Sequence, residues 1–80
     1  MKFLAIAYMM VNGMLFPLPE FEPVEAKTLK ECRENVETLR KDQTFREDVQ
    51  NVVLWHTHTM PEDARRTVQF FIRCEQVKDV

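Results

Sequence analysis

The chain has 80 residues, of which 45% are apolar and 30% are charged, and its formal net charge is −2. This composition predicts one globular domain, residues 1–80, because it is too apolar for a disordered chain and too charged for a membrane protein. The acidic balance argues against nucleic-acid binding, and the single glycine, Gly13, excludes the glycine-rich motifs that bind phosphates.

The first predicted element is a β-hairpin. Residues 3–11 form a continuous apolar run, and Asn12-Gly13 is a strong signal for a tight turn because both positions tolerate positive φ. Residues 14–16 form a short return strand, which ends at Pro17. The first strand is apolar on both faces, so we expect both faces to be covered. The run is too short to span a membrane, and no small-residue cleavage site follows it, so we do not interpret it as a signal peptide.

Two helices are predicted in the middle of the chain, one long and one short. The first runs from about residue 23 to residue 41, with a proline at its first position and apolar residues at steps of three and four. The second runs over residues 45–53, and Thr44 and Glu47 form a capping box before it. A strand through residues 52–55 is the alternative interpretation of this segment.

The last part of the chain is predicted to contain a loop over residues 57–61, one helical turn and a strand. Apolar and polar residues alternate over residues 67–77, which is the period of a strand. The sequence therefore predicts an α+β fold with a small antiparallel sheet, made of the N-terminal β-hairpin plus the C-terminal strand. One long and one short helix are expected to pack on one face of that sheet.

The pair His56 and His58 is the motif closest to a chemical site. In an extended segment, residues two apart project to the same side, so the two imidazoles could share a zinc ion with a cysteine or an acid. The alternative is two loop histidines bonded to backbone or solvent. We predict no cofactor, because zinc sites normally have paired ligands at two places in the chain. The chain has no serine, and its cysteines lie on apolar faces, so we also predict that it is not an enzyme.

The two cysteines, Cys32 and Cys74, allow two interpretations. In a reducing cytoplasm they would be small buried apolar residues, and we favour this interpretation. The alternative is a periplasmic or secreted domain that a Cys32–Cys74 disulfide stabilises.

The apolar surplus points to protein contact. Five methionines, six phenylalanines and one tryptophan are many for a chain of this size, and such residues suit adaptable protein surfaces. They could instead fill the core. We expect a contact surface and a symmetric homodimer, with no nucleic acid and no membrane as partner. The predicted contact residues are Tyr8, Met10, Trp55, His56, His58, Phe71 and Arg73.

Several segments resemble a loose group of small uncharacterised proteins encoded by bacteriophages and prophages. The resembling parts are the opening strand 2–9, the Asn12-Gly13 turn, the helix that carries Cys32 and the closing strand 70–74. The resemblance covers most of the chain in outline and carries no catalytic residue. It implies a cytoplasmic inhibitor that binds a host protein, including components of antiviral defence such as CRISPR complexes. In some relatives the two cysteines look placed to pair, which would suit a Cys32–Cys74 bond.

Overall fold

A computed structural model describes residues 1–78, so the last two residues of the predicted domain 1–80 lie outside the described part. The secondary structure forms an α+β fold with a small antiparallel sheet and helices, as predicted. The sheet has four strands instead of the three predicted, and the two main helices are both long, with 13 and 15 residues. The elements in chain order are β1 (Lys2–Val11), β2 (Met14–Pro17), β3 (Val24–Ala26), α1 (Leu29–Lys41), α2 (Gln43–Thr57), α3 (Glu62–Arg65) and β4 (Gln69–Val77).

Strand β1 is the centre of the sheet. β4 pairs antiparallel with almost its whole length, from the Lys2–Val77 pair to the Met10–Gln69 pair. Because a strand has only two edges, the opposite edge of β1 is shared by β2 and β3. β2 pairs with its C-terminal half and β3 with its N-terminal half. The C-terminal strand is therefore joined to the hairpin as predicted, whereas β3 was not predicted.

The hairpin turn has the geometry that its sequence requires. Asn12 has φ of 52° and Gly13 has φ of 79°, both in the left-handed region. Two successive positive values match the twist of the flanking strands, and asparagine and glycine reach them at the lowest steric cost. The predicted turn between the first two strands is confirmed.

Helix α1 begins later than predicted. The helix starts at Leu29, and the Thr28 side chain accepts a hydrogen bond from the Glu31 backbone N–H at 3.1 Å. The predicted start near residue 23 is wrong, because residues 24–26 pair with β1 instead of coiling. A proline at position 23 fits a helix start locally, but the nearby strand supplied a competing set of backbone hydrogen bonds.

Helix α2 is longer than the predicted helix over 45–53 and runs from Gln43 to Thr57. Its N-cap is Asp42, whose side chain accepts from the Phe45 backbone N–H at 3.2 Å, so the predicted Thr44 capping box is wrong. The backbone N–H of Asp42 also donates to the Leu39 carbonyl at the end of α1. The alternative strand through residues 52–55 is wrong as well, because that segment is helical.

Both helices contribute to a core on one face of the sheet, here called the inner face. One buried cluster joins β1, β3, α1 and β4, and the other joins β1 to the connector after β2. The first cluster is Ala5, Ala26, Cys32, Val36 and Ile72; the second is Ala7, Met9 and Leu18. Within residues 1–78, no helix is long and apolar enough to cross a membrane.

A disulfide bond joins Cys32 of α1 to Cys74 of β4, with 6.2 Å between their Cα atoms. Cys32 is fully buried in the first cluster. The two sulfur atoms lie at bonding distance, which is the pairing that the second interpretation names, and the redox state of the two cysteines in the cell stays a prediction. The bond fastens α1 to the inner face of the sheet.

Candidate functional site: a protein-contact surface

The face of the sheet opposite the core is a half-buried, largely apolar surface. Residues that pair across neighbouring strands share one face, and successive residues alternate between faces. The register therefore puts the even-numbered residues of β1 on the same face as the odd-numbered residues of β4. We call this surface the outer sheet face and define it as Leu4, Ile6, Tyr8, Met10, Leu15, Phe71, Arg73 and Glu75.

Larger apolar side chains lie on the outer sheet face than at the centre of the inner face. In the middle of β1, the inner row is Ala5 and Ala7, which are 4% and 5% exposed. The outer row at the same level has Ile6 and Tyr8, and neither belongs to a buried cluster. Small inner residues let the helices approach the sheet closely, whereas the larger outer residues stay half-buried.

Three side chains form a linked group on the outer sheet face. The Tyr8 hydroxyl donates a hydrogen bond to Oε2 of Glu75 at 2.5 Å. The guanidinium carbon of Arg73 lies 5.9 Å from the centre of the Tyr8 ring, within the range of a cation–π contact. The tyrosine therefore lies along the sheet, with its polar end bonded and its ring beside a cation.

The Glu75 carboxylate changes the acidity of Tyr8. The hydrogen bond to Glu75 raises the pKa of Tyr8 above its ordinary value of 10.0, and burial and the negative charge of Glu75 act in the same direction. The positive charge of Arg73 acts to lower this pKa but does not reverse the shift. Tyr8 therefore stays a neutral hydrogen-bond donor at neutral pH, which is the form that an apolar contact surface tolerates best.

Four of the predicted contact residues are brought together on this surface: Tyr8, Met10, Phe71 and Arg73. Tyr8 is directly opposite Phe71, and Phe71 is 36% exposed. Glu75 was not among the predicted contact residues. The alternation over residues 67–77 already put Glu75 on the same side as Arg73, but only the register of β4 on β1 shows that it reaches Tyr8.

The other three predicted contact residues lie elsewhere, at the C-terminal end of α2. Trp55 is 71% exposed, and its ring stacks on His58 with 5.6 Å between ring centres. The Nδ1 atom of His58 is 2.6 Å from the Trp55 carbonyl oxygen, so the imidazole N–H donates to the end of the helix. Because α2 packs on the inner face, this aromatic pair is on the opposite side of the sheet from Tyr8.

His56 has a different partner from His58. Its Nε2 atom lies 2.6 Å from Oε1 of Glu20, which ties the connector after β2 to helix α2. The predicted extended segment is wrong, because His56 is in the last turn of α2 and His58 caps it. In the described part of the chain, no group of three or more histidine, cysteine or acidic residues could hold a metal ion.

Comparison of the chain with protein families, with curated proteins and with solved structures found no match. The resemblance to phage and prophage proteins therefore stays a prediction.

Proposed function

We propose that this protein is a non-enzymatic protein-binding module and that the outer sheet face is its contact surface. One observation carries the proposal: the helices cover a single face of a sheet whose central strand is apolar on both faces. A row of half-buried apolar residues in water is a typical feature of an interaction surface.

The chemistry of the outer sheet face supports the same proposal. Tyrosine, phenylalanine, methionine and arginine are the residue types enriched at protein interfaces, and Tyr8, Met10, Phe71 and Arg73 form a continuous group. The bonded Tyr8 hydroxyl and the adjacent Arg73 hold two large side chains in place, which reduces the entropy lost on binding. A partner with an apolar centre and polar rim would match this surface. The resemblance to phage proteins adds the proposal that the partner is a host protein and that binding inhibits it.

The test is capture of a partner from a bacterial lysate by the tagged protein and by two variants. Ile6→Glu puts a charge at the centre of the outer sheet face, opposite Arg73, where the two side chains can pair without unfolding the sheet. Leu54→Glu is the matched control, because Leu54 is 56% exposed on α2. We expect one stoichiometric partner with the wild type and with Leu54→Glu. Ile6→Glu should lose at least roughly thirtyfold in affinity, the effect of a contact of about 2 kcal/mol.

Two results would count against the proposal. One is the absence of any stoichiometric partner in lysates of several bacterial hosts. The other is a partner that Ile6→Glu captures as well as the wild type while circular dichroism shows both to be folded. Identification of the captured protein by mass spectrometry tests the host-inhibitor part separately, since a partner unconnected with defence would remove that part alone.

A second candidate follows from the disulfide. Structural disulfides persist mainly in oxidising compartments, so the Cys32–Cys74 bond supports a domain that acts in the periplasm or outside the cell instead of the cytoplasm. A count of free thiols on protein isolated from each compartment without reducing agent distinguishes a periplasmic or secreted domain from a cytoplasmic one. Two free thiols per chain in a folded, active protein would exclude this candidate.

A further inference from the structure

The two edges of the sheet differ in the length and continuity of their strands. One edge is divided between β2 and β3, which have four and three residues, with prolines at the end of β2 and directly before β3. The other edge is β4, which has nine residues and pairs with β1 without a break in register. Within residues 1–78, β4 has no strand partner other than β1. Alternate backbone N–H and C=O groups along this second edge therefore lack a strand to bind.

The β4 edge also lacks most of the features that normally prevent strand addition, and its two charged residues are of opposite sign. Proteins protect exposed edges with prolines, bulges, very short strands or charges that point inward. β4 has no proline, no bulge and no charged residue in its inward row, which is Phe70, Ile72, Cys74 and Gln76. Its charged residues, Arg73 and Glu75, are both on the outer sheet face. An edge of this length and regularity can accept a further strand by backbone hydrogen bonding.

We infer that the β4 edge binds the β4 edge of a second copy of this chain, antiparallel and about a two-fold axis. In such a pair, the residue at the axis lies opposite its own counterpart, and the register follows from which residue that is. With Cys74 at the axis, Arg73 lies opposite Glu75 of the second copy, and Glu75 lies opposite Arg73 of the second copy. One strand thereby supplies two cross-strand ion pairs.

The charge pattern selects both this register and this partner. With Arg73 or Glu75 at the axis, like charges would face each other, which is destabilising. The register centred on Cys74 alone puts Arg73 opposite Glu75. Glu75 accepts the Tyr8 hydrogen bond through Oε2, and a carboxylate has room to accept further bonds from a guanidinium. The dimer goes beyond the proposed function and does not depend on it, because it uses the β4 edge and leaves Leu4, Ile6, Tyr8 and Met10 of the outer sheet face uncovered.

Sedimentation velocity on three proteins tests this inference. We expect the wild type to form a dimer in the micromolar range and to dissociate as salt is raised, because the ion pairs are at the surface. Arg73→Glu and Glu75→Arg should each be monomeric, since each variant brings like charges together across the axis. An equal mixture of the two variants should form a heterodimer. Positions 73 and 75 are then both negative in one chain and both positive in the other, so every pair across the axis is again of opposite charge.

Two exposed positions on α1 provide matched controls. Arg33→Glu and Glu34→Arg make the same charge changes away from the sheet, so both should dimerise like the wild type. Met10→Glu puts a charge on the outer sheet face opposite Gln69 and away from Arg73, so it should also dimerise. The dimer and the proposed contact function can therefore fail separately.

Hydrogen exchange needs no substitution and gives a second measurement. The β4 amides that point away from β1 should become more protected as the wild-type concentration rises, while the amides of β2 and β3 should not change. A wild type that stays monomeric at every concentration would overturn the inference. So would single variants that dimerise normally, or a mixture of variants that remains monomeric while both are folded by circular dichroism.

Discussion

Both faces of β1 are apolar, but only the inner face is buried in the core. The inner face is covered by α1, α2 and the connector after β2, and Ala5 and Ala7 at its centre are almost fully buried. The outer face has larger side chains, such as Ile6 and Tyr8, and within residues 1–78 neither of these belongs to a buried core cluster. Apolar composition alone therefore does not tell which face of a strand is the core. Side-chain size is informative here, because small residues permit close packing and large ones are left for contact.

Removal of the Cys32–Cys74 disulfide should lower the free energy of unfolding more than any change to the outer face. The bond closes a loop between residues 42 positions apart and fastens α1 to the inner face. On the chain-entropy relation, its loss lowers the free energy of unfolding by about 4 kcal/mol. Urea unfolding of the Cys32→Ala/Cys74→Ala double variant against the oxidised wild type measures this.

Reducing agent is the control for the disulfide. It should lower the wild type's free energy of unfolding toward that of the double variant, and it should leave the double variant's value unchanged. A wild type whose unfolding is the same with and without reducing agent would show that the bond does not stabilise the inner face.

A matched pair of isoleucines compares the two faces directly. Ile72 on β4 points to the inner face and is 9% exposed, whereas Ile6 on β1 points to the outer face. Ile72→Ala should lower the free energy of unfolding by about 3 kcal/mol, because it leaves a cavity in the first core cluster. Ile6→Ala should lower it by only about 1 kcal/mol, because water or neighbouring side chains can fill the space.

Both isoleucine variants are measured by urea unfolding at a concentration where the protein is monomeric. Equal losses would mean that something in the same chain covers the outer face, and the contrast between the faces would then be wrong.

The smallest expected effect concerns Tyr8, the single tyrosine of the chain, whose ionisation is visible by ultraviolet absorbance. Glu75 raises the pKa of Tyr8, so the tyrosine of the native protein should ionise at a higher pH than the tyrosine of the urea-unfolded protein. A group whose pKa is higher in the native state than in the unfolded state stabilises the fold. This contribution is fully present at pH values below the unfolded pKa, and it is lost as the pH rises through the native pKa. Stability from this bond should therefore be constant at neutral pH and fall above about pH 10.

Glu75→Gln removes the negative charge beside Tyr8 and serves as the partner variant. The pKa of Tyr8 in this variant should move down toward the pKa of the unfolded protein. Identical midpoints in the wild type and Glu75→Gln would show that Glu75 does not set the acidity of Tyr8.

Local patterns predicted the parts of the fold that depend on near neighbours. The Asn12-Gly13 turn and the alternation of residues 67–77 were both correct, because each reports a backbone preference or a period that is visible in sequence. β3 was missed, because three residues carry no period and their partner is β1, far along the chain. The end of α2 was missed because β-branched residues at 52 and 53 favour a strand, whereas packing against the core favours a helix.

The contact surface was predicted only in part for a similar reason. Sequence alternation grouped Phe71 with Arg73, and the two apolar faces of β1 included Tyr8 and Met10. Which of these meet depends on the register between β1 and β4, and no local signal sets it. Trp55 and His58 were joined to the same group on the basis of apolar and aromatic character, although α2 carries them to the other side of the sheet.

The central position of β1 also affects how the chain folds during synthesis. Lys2 pairs with Val77, so β1 is synthesised well before β4, the strand that pairs with almost its whole length. Until β4 has been made, β1 can pair only with β2 and β3, and its whole second edge stays open to water beside apolar side chains. We therefore expect the nascent chain to depend on chaperones or on rapid synthesis of β4, because such unpaired strands readily aggregate.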